Sequence, residues 1–204
     1  MDQIVIATHN LHKAGEMETI LSAKAGWIDF RSLRDFPGAP EPEETGSTYG
    51  ANAIIKAESA LKHSGLPALA DDAGLEIDGL PGELGVTSKR FAGIATSFDE
   101  KMEIVLSSLR GKPDEERRAR FACFVALARP GCETKVFSAT CEGQIAHAKS
   151  GQGGFGYDPI FWLPQLECTM ADLTAEQKHE VSHRGRVLRT VAVYLQRVRE
   201  ASDS

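Results

Sequence analysis

Apolar and polar positions along the chain switch between a period of two and a period near 3.6, and that switching predicts an α/β order of elements. Gln3 to Ala7 reads as a buried strand. Thr8-His9-Asn10 then caps a helix whose apolar positions Met17, Ile20 and Leu21 recur at helical spacing. Trp27 to Ser32 reads as a second short strand, and Phe36 to Gly46, rich in Pro and Glu, as a loop. Thr48 to Ser64 is a predicted helix with Ala53, Ala57, Ala60 and Leu61 on one face and Asn52, Lys56 and Ser59 on another. Leu66 to Ala70 is a short apolar segment that ends in a predicted turn at Asp71-Asp72-Ala73-Gly74. Leu75 to Asp78 alternates as a strand beyond it. Phe98 to Leu109 reads as a helix, and Ala119 to Ala128 with Thr134 to Ile145 as a long hairpin turning at Pro130-Gly131. Gly151 to Pro159 is a glycine-rich loop and Ala175 to His179 a helical turn. Ser182 to Arg199 is a final helix with Val187, Leu188, Val191, Leu195 and Val198 inward. No internal repeat or long linker interrupts this order.

Composition agrees with a folded domain, since 42% of the residues are hydrophobic and 25% charged, far from a disordered chain. A single domain over 1–204 is the expectation. The opening stretch has no basic leader, and its apolar run breaks at Thr8, His9 and Asn10, so neither a signal peptide nor a membrane span is expected. A cytoplasmic setting follows as an expectation. Cys123, Cys132, Cys141 and Cys168 form no CxxC pair and no zinc-finger spacing with histidine, which favours free thiols. The net charge of −6 argues against nucleic acid as partner, yet a few clustered cations can still hold one small phosphate ligand.

Two familiar phosphate motifs fail on context. Gly151 to Gly156 matches GxGxxG in spacing, but Tyr157-Asp158-Pro159 follows where a dinucleotide site needs a helix. Gly111-Lys112 runs into Pro113, and Leu106 occupies the place of the first P-loop glycine. Three other places offer chemistry. The turn Thr8, His9, Asn10 to Lys13 aims backbone N–H groups and a helix N-terminus at one point, or else is a plain cap. Asp71 and Asp72, with Glu43 and Glu44, offer the hard oxygens that Mg²⁺ prefers, and such a carboxylate can deprotonate water. The alternative is an Asp-capped turn, although two adjacent acids repel unless a cation lies between them. Ser182-His183-Arg184 opens the last helix with cations at the end that favours anions, a conflict that an anionic ligand would remove. Lys178 lies just upstream, able to join Lys13, Lys56 and Arg184 around a polyphosphate.

Taken together, Thr8-x-Asn10-x-x-Lys13, Glu43-Glu44-Thr45-Gly46, Ala70-Asp71-Asp72-Ala73-Gly74-Leu75, Gly153-Gly154-Phe155-Gly156-Tyr157-Asp158-Pro159 and Ser182-His183-Arg184 resemble one family. It is the inosine/xanthosine triphosphate pyrophosphatase family, also called Ham1-like, and the resemblance runs from Ile4 to the final helix. It implies a mixed, elongated central sheet with flanking helices and two lobes around a cleft, and a homodimer. It implies Mg²⁺-dependent cleavage of ITP, dITP or XTP between the α- and β-phosphates, to a monophosphate and pyrophosphate. Asp72 matches the general base and metal-associated carboxylate, with Glu43 or Glu44 assisting at the metal. Thr8, His9, Asn10, Lys13, Lys56 and Lys178 match the residues that hold the triphosphate. Ala73 stands where the family has a substrate-contacting serine. Phe155, Gly156, Tyr157, Asp158, His183 and Arg184 match the base pocket, whose donors would accept a 6-oxo purine and refuse a 6-amino one.

The chain departs from the family pattern at Ala73, and again in Leu84 to Gly93, where Ser88, Arg90 and Gly93 remain but Thr87 and Lys89 replace expected residues. Two rivals follow: a Maf-like pyrophosphatase with another base preference, and a nucleotide-binding protein without turnover. The Phe155-to-Pro159 and Ser182-to-Arg184 blocks speak against the first, and retention of both Asp71 and Asp72 against the second.

Overall fold

The structure, a computed structural model, describes residues 1–88, 91–93 and 95–202; Lys89 and Arg90 lie outside them, and of Thr87 only the backbone is described. Strand β1 (Gln3–Ile6) leads into helix α1 (Leu11–Ala25), which buries Met17, Ile20, Leu21 and Ala25. Strand β2 (Asp29–Ser32) returns parallel to β1 in the register Gln3 with Asp29 to Ile6 with Ser32, a connection that the α1 crossover makes possible. A short 3₁₀ turn at Leu33–Asp35 opens the predicted loop, and α2 (Tyr49–Ser64) follows, capped by Thr48 and ended by Gly65 at φ +71°.

The stretch after α2 departs from the sequence expectation. Asp71-Asp72-Ala73-Gly74 is no turn, because β3 is a single strand over Ala68–Ile77, parallel to β1 through Val5 with Ala68 and Ile6 with Leu69. Asp and Gly are poor strand formers, but the strand is buried along most of its length, and burial of Leu69, Ala70, Leu75 and Ile77 overrides local propensity.

Beyond it lie α3 (Phe98–Ser108), capped by Ser97 and Glu100, then β4 (Arg118–Ala128) and β5 (Lys135–Ile145) on either side of the turn at Gly131. Two further strands, β6 (Phe161–Leu163) and β7 (Cys168–Thr169), add antiparallel to β5 and to each other. With three and two residues they are too short to leave a periodic signal. Helices α4 (Ala175–Val181) and α5 (His183–Ser202) close the chain. Among the described residues one mixed seven-stranded sheet has the order β2-β1-β3-β4-β5-β6-β7. No described helix is long and apolar enough to cross a membrane.

Two compact units divide the chain. The first comprises Met1–Asp72, Cys123–Ala139 and Arg184–Ser204, and the second Ala73–Ala122 and Thr140–His183. The first has a core of small side chains, Ala53, Ala57, Ala60, Ala68, Ala70, Ala126 and Ala128 around Val5 and Leu33. The second is built on larger ones, Leu75, Leu109, Phe121, Ile160 and Phe161 among them. Small residues let the α2 backbone approach the strands closely, so that polar side chains of α2 reach the strand carrying the two aspartates.

Candidate active site

The first unit contains the charged cluster. Asp71 and Asp72 are consecutive in β3, so their side chains leave the strand on opposite faces. Each carboxylate finds its own cations. Asp71, with only 1% of its side chain exposed, takes Lys13 Nζ at 3.0 Å and Arg184 Nη2 at 2.9 Å. Asp72 takes Lys56 Nζ at 3.0 Å on Oδ1 and Asn52 Nδ2 at 3.2 Å on Oδ2. The repulsion expected between adjacent acids is thus answered by the protein's own side chains. Burial alone would raise the Asp71 carboxyl, but Lys13, Arg184 and Lys56 outweigh it and hold the group well below the usual carboxylate range. Asp72 goes the other way: burial raises it, Glu44 adds to the rise, and Lys56 opposes both.

Lys56 joins three elements. Its Nζ lies 2.9 Å from Glu44 Oε1 and 3.0 Å from Asp72 Oδ1. Burial would lower this ammonium, but Asp72, Asp71 and Glu44 together raise it, so Lys56 stays charged at neutral pH. Glu43 is exposed, and its backbone carbonyl accepts from the Thr45 N–H. Of the two glutamates that the spacing left open, Glu44 is therefore the one brought to Asp72. Asn52, assigned no role from its sequence position, is fully buried between Asp72 and the Gly46 N–H, which donates to its Oδ1 at 2.8 Å. Only its place on the Lys56 face of the helix, one turn before Lys56, pointed to it.

A divalent ion of the Mg²⁺ kind is held through one or two carboxylates, with substrate phosphates and water completing its shell. No group of three or more His, Cys, Asp or Glu forms a metal cage among the described residues. Asp72 and Glu44 supply the smaller set, since their oxygens converge on one cationic point, and the residues present fit such an ion.

The turn at Thr8 to Lys13 differs from expectation in its donors. Asn10 Oδ1 accepts from the His12 and Lys13 N–H groups at 3.0 and 3.2 Å, and the Asn10 N–H goes to Thr8 Oγ1. Two N–H groups of the first turn are therefore capped internally, because Asn at the N-cap competes for them. His9 and Asn10 remain exposed. Arg184, expected among the base-pocket donors, donates instead to Asp71 and, through Nη1 at 2.8 Å, to Glu16. Its misplaced charge at the start of α5 is thus met by two protein carboxylates. Glu16 escaped the sequence reading because nothing in its spacing ties it to residue 184.

The second unit holds the remaining expected residues, among them Ala73, which is half-buried in β3. Asp158 Oδ2 accepts the Phe155 N–H and the Lys178 ammonium, both at 2.8 Å. Lys178 Nζ also stands 4.5 Å from the Phe155 ring centroid, so the lysine expected on the triphosphate is here tied into the Phe155 loop. Tyr157 donates its hydroxyl to the Ser88 carbonyl at 3.1 Å and meets Phe98 edge to face. His183 is buried and stacked on Phe121, with ring centroids 4.7 Å apart. Gly151 to Gly156 leads into a 3₁₀ turn at Asp158–Ile160 and then β6, so the GxGxxG spacing has no following helix.

Known proteins resemble this chain over nearly its whole length. A sequence model of the Ham1 family matches residues 4–194. The dITP/XTP pyrophosphatase of Geobacillus kaustophilus is 47% identical over 188 residues, 92% of this chain and 91% of that protein. The dITP/XTP pyrophosphatase of Halalkalibacterium halodurans is 45% identical over 96% of this chain and 100% of its own. Among solved structures, a HAM1 protein from Coxiella burnetii is similar with a TM-score of 0.86 at 40% identity, covering 97% of this chain and 100% of that one. The Staphylococcus aureus Ham1 protein follows with 0.85 at 39% identity over 96% and 98%.

Proposed function

The chain belongs to the Ham1 family, and from that premise we propose that it hydrolyses inosine- and xanthosine-type triphosphates, dITP and XTP foremost, to the monophosphate and pyrophosphate. The observation that carries the reading is the convergence of Asp72 and Glu44 on Lys56. Asp72 and Glu44 hold Mg²⁺, which when bound neutralises phosphate charge and polarises the scissile phosphoryl group. Asp72 accepts the proton of the attacking water, the water oxygen bonds to the α-phosphorus, and the bond from that phosphorus to the bridging oxygen breaks as pyrophosphate leaves.

Lys13 and Lys56, with the Thr8, His9 and Asn10 turn, and Lys178 bind the triphosphate. Phe155, Gly156, Tyr157, Asp158, His183 and Arg184 recognise the base, with Ala73 beside the substrate and without the hydroxyl of the family pattern. A 6-amino purine would leave the donors of that pocket unpaired, so ATP turns over poorly. A cytoplasmic setting, which the free state of all four cysteines supports, and a homodimer complete the reading.

Pyrophosphate release from dITP, XTP, dGTP, dTTP and ATP, with and without Mg²⁺, tests it. Release from dITP and XTP that requires Mg²⁺ is expected. No such release overturns the proposal, and preference for dTTP points to a Maf-like enzyme.

A further inference from the structure

We infer that Asn52 is a positioning residue for the reaction, its carboxamide locking the Asp72 carboxylate and the loop carrying Glu44 into one geometry. The inference rests on the reading of Asp72 and Glu44 given above. Asn52 is 0% exposed, and a buried carboxamide without partners would be strongly destabilising, so both of its ends must be used. Nδ2 donates to Asp72 Oδ2 at 3.2 Å, and Oδ1 accepts the Gly46 N–H at 2.8 Å. Lys56, four residues on and on the same helix face, donates to the other Asp72 oxygen.

The two Asp72 oxygens therefore have separate donors from one rigid helix. The terminal torsion of an aspartate is otherwise broad, and two donors in fixed directions set the carboxylate plane. Lys56 alone would set it poorly, since an ammonium on a four-carbon stem is a mobile point charge. An amide also donates without adding a second cation or a competing anion beside Asp72. Asn52 thus acts through Asp72, fixing the direction of the lone pair that takes the proton.

The other end of the amide sets the loop. Residues 36–48 form no helix or strand, so the bond from Gly46 to Asn52, beside the Lys56 bridge from Glu44 to Asp72, ties the segment carrying Glu44 to α2. Gly46 has no room for a side chain: a Cβ there would lie 2.6 Å from Asn52 Oδ1 and 2.7 Å from Ala51 Cβ. The loop and the amide are fitted to each other.

Asn52→Ala, Gly46→Ala and the double variant test this, each first shown to be folded by thermal unfolding. Their kcat and KM for dITP are measured, together with Mn²⁺ binding to the resting protein by electron paramagnetic resonance. Each single variant is expected to lower kcat about tenfold with KM little changed, as misplacement of a catalytic group does. The double variant should fall no further than the worse single one, since both break the same bridge. Mn²⁺ should bind at least about fivefold more weakly in each, as expected when outer-shell partners of metal ligands are removed. A merely structural asparagine would lower the melting temperature and leave kcat and Mn²⁺ binding unchanged in folded protein. That result, or losses that multiply, overturns the inference while leaving the proposed function standing. If the parent protein cleaves neither dITP nor XTP, the proposed function fails, and the Mn²⁺ comparison alone decides the role of Asn52. Gly46→Ala carries both measurements if Asn52→Ala does not fold.

Discussion

At the scale of single residues, two neighbouring aspartates do different work because a strand sends them to opposite faces. Asp71 is the buried counter-ion of Lys13 and Arg184, and its removal takes away the carboxylate that these two cations share. Breaking a buried pair from one side destabilises by about 3–5 kcal/mol, and Asp71→Asn should lower stability in urea by that order. An unchanged midpoint would remove Asp71 from the structural role. Asp72→Asn keeps the shape and the Asn52 contact region but cannot take a proton. Its kcat on dITP should drop on the order of a hundredfold or more with the fold intact, and a near-normal rate would remove Asp72 from the role of base. Tyr157 gives a pH prediction. Burial pushes its hydroxyl up to about 12 from an ordinary value near 10, so the unfolded chain ionises first as pH rises. Stability should be unaffected by this group below pH ~10 and should fall between there and about 12. Tyr157→Phe should flatten that alkaline decline in a urea series.

At the scale of elements, what the sequence made legible depended on length and period. The helices at 11–25, 49–64, 98–108 and 183–202 follow apolar spacing over three turns or more, and their caps at Asn10, Thr48 and Ser97 stand in the sequence. The Asp71-Asp72-Ala73-Gly74 segment misled because its residues are local turn formers, while strands on either side in the sheet and a closely packed helix hold it extended. Candidate residues were legible by type. Their partners were not, since Glu16 with Arg184 and Asn52 with Asp72 meet only through tertiary structure. The Phe155 loop shows the same division. Gly154 sits at φ +71°, and a Cβ there would collide with the Asp158 carboxylate that also holds Lys178. Gly154→Ala should therefore break the Asp158 contacts, lower stability by about 1–3 kcal/mol, and raise KM for dITP more than it lowers kcat. Equal loss in both parameters would count against a binding role for this loop.

At the scale of the whole molecule, the two units have separate cores but not separate strands. Residues 72 and 73, 122 and 123, and 139 and 140 divide β3, β4 and β5 respectively, so each of these strands contributes to both units. A strand cannot lose its pairing in one half without straining the backbone of the other half, and unfolding should be cooperative across the units. The cysteines report this directly. Cys123 lies in β4 within the first unit and Cys141 in β5 within the second, and both are buried. Burial, with Asp71 adding to it, pushes the Cys123 thiol up to about 12, which keeps it protonated and unreactive in the native fold. Cys132, exposed at the turn between these strands, provides the internal control. A thiol reagent with mass-spectrometric mapping over a urea gradient should label Cys132 at every concentration. Cys123 and Cys141 should become reactive over one shared range of urea. Labelling of one well before the other would show that the units open independently, and would mean that the small-residue core around Ala53, Ala57 and Ala60 and the larger one around Phe121 and Phe161 are each sufficient to hold their own halves of the shared strands.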